Sequence, residues 1–152
     1  KPFCIRYPRG NVHYDKVDQY ELIPIGSWTR YDIGDKPICI VISYGYDVDN
    51  VIHKAKENNI SMIVINARFF KPIDTIMIDE LCSYDLPIYV YETDCKIGSL
   101  SSAILEYINT QKHILNTIGI EDHFVNHGSI RTLRIQEHID TQSLFKEIIE
   151  ND

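Results

Sequence analysis

Two arginines three residues apart, Arg6 and Arg9, lie in Ile5-Arg6-Tyr7-Pro8-Arg9-Gly10-Asn11. Pro8 fixes the backbone between them and Gly10 frees it just after. Such a segment can aim a guanidinium outward as a planar fork for phosphate or carboxylate oxygens. By residue chemistry alone, it suits a surface ion pair equally well. His123 and His127 are spaced as metal ligands on a helix would be, but Asn126 and Gly128 mark a loop, so a structural role is expected for both. Arg68, in Asn66-Ala67-Arg68-Phe69-Phe70-Lys71-Pro72, follows an apolar run at the strand edge where open α/β sheets place ligands. Anchoring its loop, or pairing with a carboxylate at a domain interface, is favoured there over ligand contact.

Other chemistries lack their residues. Tyr44-Gly45-Tyr46-Asp47-Val48-Asp49 stands where a dinucleotide fold would carry its glycines, and the bulky tyrosines obstruct close approach to a pyrophosphate. An ordinary strand-to-helix turn is expected. Neither the phosphate-loop lysine motif nor the nucleophile elbow occurs. Cys4, Cys39, Cys82 and Cys95 form no C-x-x-C pair, so zinc and dithiol redox motifs are unsupported, and reduced thiols are expected with Cys39 buried.

A frame must position these residues, and 152 residues with 44% apolar content suffice for one domain with a sizeable core. Disordered and collagen-like classes are excluded by that content and by only 7 glycines and 6 prolines. No apolar run reaches the roughly 20 residues of a membrane helix, and a cytoplasmic location is expected. The formal charge is −7, yet the first ten residues carry Lys1, Arg6 and Arg9 and no acid. A basic head on an acidic body disfavours a general nucleic-acid surface and permits a local anion site near the N-terminus.

Ile38 to Ser43, Met62 to Ile65, Ile88 to Tyr91 and Ile114 to Ile118 are continuous apolar runs that read as strands buried on both faces. Helical windows separate them. Asp47 is expected to cap one containing Val48, Val51, Ile52 and Ala55 and ended by Asn58-Asn59. Asp74 caps a second with Ile78, Leu81 and Cys82 inward, closed by Asp85 and Pro87. Ser99 caps a third, with Leu100, Ala103, Ile104, Tyr107 and Ile108 in one stripe. Ser129 opens a short helix and Thr141 another, with Leu144, Phe145, Ile148 and Ile149 on one side. This alternation predicts a three-layer αβα fold with a mainly parallel sheet of about five strands. Ile25 to Tyr31 is expected as a further strand, antiparallel to Ile38–Ser43 because the Gly34-Asp35 turn is short. Before it, Lys1 to Asn11 shows strand-like alternation of Phe3, Ile5 and Tyr7, and Val12 to Glu21 is polar.

Four stretches together carry a resemblance: Ile5-Arg6-Tyr7-Pro8-Arg9-Gly10-Asn11; Ile23-Pro24-Ile25-Gly26 with Trp28; Asn66-Ala67-Arg68-Phe69-Phe70-Lys71-Pro72-Ile73-Asp74; and Gly119-Ile120-Glu121-Asp122-His123-Phe124 with His127-Gly128. In order and spacing the chain resembles the C-terminal part of the 1-deoxy-D-xylulose-5-phosphate synthase family. The resemblance implies residues 1–11 as the last strand of a preceding pyrimidine-binding domain, 12–24 as linker and 25–152 as a transketolase C-terminal-like domain whose first strand is antiparallel. It implies a parent that condenses pyruvate with glyceraldehyde 3-phosphate, giving 1-deoxy-D-xylulose 5-phosphate and CO2 for isoprenoid synthesis. The parent would use thiamine diphosphate and Mg2+, held by domains outside this chain.

By the same resemblance, Arg9 matches the arginine that binds the acceptor's phosphate, with Arg6 a second candidate or a structural partner. No catalytic, cofactor-binding or metal-binding residue is carried over, and the piece alone is expected to be inactive and to bind no cofactor. Expected partners are the parent's remaining domains, a second copy in a parent homodimer and small-molecule substrates, without nucleic acid or membrane. The chain departs from the family pattern at Tyr44-Gly45-Tyr46, where the turn is usually small and threonine-containing. It departs again at Glu92-Thr93-Asp94-Cys95-Lys96-Ile97-Gly98-Ser99, which keeps one glutamate and one glycine of a glutamate pair and closely spaced glycines. Alternatives are the equivalent domain of a 2-oxo acid dehydrogenase beta subunit and a stand-alone interaction module of the same fold.

Overall fold

The computed structural model describes residues 2–7, 20–108 and 115–151. Its centre is the apolar run predicted as the first parallel strand, now β2 (Cys39–Ser43), of which every residue is buried. It pairs in parallel with β3 (Met62–Asn66) on one side and β4 (Ile88–Cys95) on the other, and β4 pairs in parallel with β5 (Leu115–Ile120). Ile114, the expected start of β5, lies outside the described residues.

β1 (Thr29–Ile33) is antiparallel, as expected, but its partner is β3 and not β2, giving the order β1-β3-β2-β4-β5. The short loop misled because both edges of β2 are already taken by parallel neighbours. Gly34, at φ +74°, turns the chain against Ser61, whose carbonyl accepts from Ile38 N at 3.0 Å. The turn thereby steps over to the edge of β3. Trp28, expected inside the strand, precedes it, buried with its indole N–H donating to the Phe69 carbonyl at 2.8 Å.

Alternate residues of the central strands feed opposite layers. Ile40, Ile42, Ile63, Ile65, Ile88 and Val90 pack against Ile78 and Leu81 of α2 (Thr75–Cys82) and Leu100, Ile104 and Ile108 of α3 (Leu100–Ile108). On the other face Val41, Val64, Tyr89 and Tyr91 meet Val48 and Val51 of α1 (Tyr46–Glu57) and Leu144, Phe145 and Ile148 of α5 (Thr141–Glu150). This is the three-layer αβα arrangement the alternation predicts. Tyr107 and Ile149, expected on the inward stripes, are exposed because each lies at the edge of its apolar arc.

Helix starts divide between expected and unexpected caps. Asp74 accepts from Met77 N at the head of α2, and its other oxygen takes Trp28 N, so one carboxylate starts a helix and holds the entry to β1. Ser129 caps α4 (Ile130–Gln136). α5 opens at Thr141, as expected, and Asp140 is its cap. Gly45, at φ 59°, stands at the N-cap of α1 without a side-chain bond, and Asp47 lies inside the first turn. Residues 2–7 form no strand, Phe3, Ile5 and Tyr7 are exposed, and no strand among the described residues pairs with this segment.

Candidate functional site

Polar side chains gather at the carboxyl edge of the sheet, where β2 and β4 end side by side. Glu92, within β4 and 1% exposed, supplies the first anchor. Its carboxylate accepts from the Ser99 hydroxyl at 2.7 Å, from Leu100 N and from Ser101 N. The head of α3 is therefore capped by a strand residue, and Ser99, expected to accept, donates instead. A carboxylate suits that position because it meets orphan N–H groups and the positive end of the helix.

Two residues further, Asp94 takes the guanidinium of Arg6 on Oδ1 and the Tyr44 hydroxyl on Oδ2 at 2.6 Å. Tyr44 follows β2 directly. Its ring lies edge-on to Phe70 at 4.7 Å between centroids, and the Arg6 guanidinium sits 5.9 Å from its centroid. Burial pushes the Asp94 carboxyl up, but the bonds from Arg6 and Tyr44 and the Arg6 charge outweigh it and hold the carboxyl below its ordinary range. Burial, reinforced by the bond to Asp94, pushes the Tyr44 hydroxyl well above its usual value. The cluster is thus fixed as carboxylate, neutral phenol and cation at neutral pH.

The geometry of β5 makes room for this. The β4–β5 register shifts between Tyr91 and Cys95, and a Cβ at Gly119 would stand 3.0 Å from the Asp94 carbonyl oxygen and 3.3 Å from Glu92 Cγ. A side chain at this position would require its neighbours to give by a few tenths of an ångström.

On the opposite face, Asp47 and Arg134 form a two-pronged ion pair of 2.5 and 3.1 Å that ties α1 to α4. Beside it Tyr91 donates to the Ile139 carbonyl at 2.8 Å, and burial pushes its hydroxyl up to about 12. α4 buries none of its residues.

Of the residues singled out by sequence, Arg6 joins the cluster and Arg9 lies outside the described residues. Arg68 anchors its loop, donating to the Ser27 hydroxyl at 2.8 Å and to the Ser27 carbonyl. His123 pairs with Glu137 at 2.8 Å, and His127 is exposed. Tyr44, Asp94 and Glu92 were not singled out as site residues, although Glu92 and Asp94 directly after the buried run Ile88–Tyr91 were an available signal. A cavity of about 110 Å³, lined by Ile38, Cys39, Pro87, Tyr89, Ile148 and Asn151, opens at the opposite, amino edge.

The carboxyl edge does not fit a diphosphate with its divalent cation. Among the described residues no group of three or more His, Cys, Asp or Glu is placed to hold a metal, and Gly45 is flanked by tyrosines. The described helices include none long and apolar enough to cross a membrane.

The sheet order, the antiparallel edge strand and the paired helix layers define a domain of the transketolase type. Residues 33–142 match the family described as the transketolase C-terminal domain, and the chain belongs to that family. Its relatives include the 1-deoxy-D-xylulose-5-phosphate synthase of Aquifex aeolicus (strain VF5), 32% identical over 155 aligned positions, with 97% of this chain and 24% of the relative covered. The synthase of Bacillus cereus (strain AH187) is 29% identical, over 97% of this chain and 24% of its own length. The chain thus spans about a quarter of the length of these relatives. Among solved structures, a split-gene transketolase described as an inactive beta4 tetramer superposes with a TM-score of 0.71 at 18% identity, covering 84% of this chain and 43% of that one. Transketolase from Leishmania mexicana gives 0.53 at 15% identity, covering 80% and 17%. These two likenesses show the fold alone.

Proposed function

We propose that this chain is the C-terminal domain of a longer, cytoplasmic, homodimeric thiamine-diphosphate enzyme that condenses pyruvate with glyceraldehyde 3-phosphate to 1-deoxy-D-xylulose 5-phosphate and CO2. The observation that carries this reading is similarity across 97% of the chain to relatives bearing that synthase's name. In this reading residues 1–11 end the preceding pyrimidine-binding domain, 12–24 link, and 25–152 form the present domain. Thiamine diphosphate and Mg2+ belong to the rest of the protein in this reading. The 152-residue chain by itself is then inactive and self-associates weakly or not at all.

Arg9 binds the phosphate of the acceptor, and Arg6 supports it. A charge-assisted hydrogen bond of this kind contributes about 1.5–3 kcal/mol, so Arg9→Ala in the full-length protein should lower kcat/KM for glyceraldehyde 3-phosphate roughly 10- to 150-fold. An acceptor aldehyde without phosphate should be nearly unaffected. Equal impairment of both acceptors, or of neither, would remove Arg9 from the phosphate site. Synthase turnover by the pure 152-residue chain would remove the division of labour between domains.

A further inference from the structure

In the order β1-β3-β2-β4-β5 the chain leaves β2 for β3 on one side and later reaches β4 on the other. The crevice between the carboxyl ends of β2 and β4 is therefore the topological switch point, the place where open α/β sheets receive ligands. Here its two walls are Tyr44, just after β2, and Asp94, in β4. The group between them belongs to the chain's own N-terminal segment: Arg6, on Asp94 and over the Tyr44 ring.

We infer that this crevice is a socket for Arg6, and that Asp94 and Tyr44 are positioning residues locking the N-terminal arginine segment onto the domain. The arrangement is specific in three ways. Both carboxylate oxygens of Asp94 are engaged, one by the guanidinium and one by the phenol. Tyr44 is itself held, edge-on against Phe70 and with Thr93 N donating to its hydroxyl at 3.4 Å. A guanidinium takes both a carboxylate and an aromatic face, whereas a lysine ammonium would lose the planar fork. The two walls also come from the two stretches that sequence analysis marked as unusual, Tyr44-Gly45-Tyr46 and Thr93-Asp94-Cys95, which the fold brings together.

Resting on the proposed function, the socket has a consequence for the acceptor. Three residues of chain span at most about 11 Å. Fixing Arg6 therefore restricts where the phosphate-binding arginine three positions on can reach, and the domain acts on acceptor affinity through the segment.

Two measurements test this separately. In the 152-residue chain, nuclear magnetic resonance should show resolved, slowly rotating Nη signals for Arg6, collapsing in Asp94→Asn and weakening in Tyr44→Phe, while the Asp94 carboxyl should titrate higher in Arg6→Ala. Arg6 signals indifferent to Asp94→Asn would overturn the socket whatever the protein's activity. In the full-length protein, Asp94→Asn should raise KM for glyceraldehyde 3-phosphate about 1.5- to 5-fold with a smaller change in kcat, and Asp94→Glu should recover part of it. An intact socket with KM unchanged in Asp94→Asn overturns the positioning role and leaves the synthase reading standing. Absence of synthase turnover in the wild-type full-length protein overturns that reading and the acceptor role with it, while the Arg6 signals still support the socket.

Discussion

Two aspartate–arginine pairs sit at the same edge of this sheet and do different work. Asp47 and Arg134 join two elements of one domain, with side chains 9% and 26% exposed and two hydrogen bonds between them. Asp94 and Arg6 join an irregular segment to the domain, with side chains 26% and 59% exposed. The chemistry is shared, but solvent separates the outcomes. A shielded two-pronged pair contributes to the fold because breaking it strands a charge. An exposed pair is screened and gives up side-chain entropy, so its value lies in direction more than in stability.

The largest effect should come from breaking the inner pair. Asp47→Ala strands Arg134 against α1 and should cost about 2–3 kcal/mol, somewhat below the figure for a fully buried pair because Arg134 is partly wet. Urea unfolding followed through Trp28 fluorescence measures it, and a loss under about 0.5 kcal/mol would erase the distinction between the pairs.

Glu92→Ala tests a third carboxylate, one bonded to a helix and to no arginine. Removing it leaves Leu100 N and Ser101 N without their acceptor and should cost about 1–2 kcal/mol in the same assay. An undisturbed stability would show that water replaces the cap.

The outer pair should give the smallest effect. A double-mutant cycle of Arg6→Ala with Asp94→Asn should return a coupling of about 0.2–1 kcal/mol that fades in 1 M salt. Its acid dependence follows from Asp94, whose folded carboxyl is held below the ordinary value of about 3.9. Stability from such a group is fully present above that ordinary value and is lost as pH falls through the depressed one. Arg6 and Glu92 both face this cluster, and Arg6 stays charged throughout. Coupling that disappears already between pH 7 and 5 would contradict the assignment to Asp94.

The inner and outer pairs also differ in how they read from sequence. Strands β2 to β4 and helices α1 to α3 are legible because their apolar periods are strong and both faces of the sheet are covered. The partner of β1 is not, since loop length says nothing about which strand edges are already occupied. Asp47 reads as a cap because an aspartate before an apolar stripe usually is one; only Arg134, 87 positions later, turns it into an ion-pair partner. Arg6 is legible as a guanidinium awaiting an oxygen, but the oxygen belongs to Asp94, at a separation of 88 positions that no local pattern spans. Glu92 and Ser99 show the same limit at short range: Ser99 reads as the cap from its place before the apolar stripe, while Glu92, whose carboxylate can only accept, takes that role from seven positions earlier on a strand.

Gly119 carries neither charge nor side chain, yet the aim of Asp94 depends on it. Because a methyl group there would press on the Asp94 backbone oxygen and on Glu92 Cγ, alanine at this position cannot be absorbed by a rotating side chain alone. The neighbouring backbone of β4 must give by a few tenths of an ångström, and that strand carries both the helix cap and the arginine socket. Two separate electrostatic devices thus share one mechanical pivot, and a silent-looking residue becomes the place where a single methyl can detune both at once.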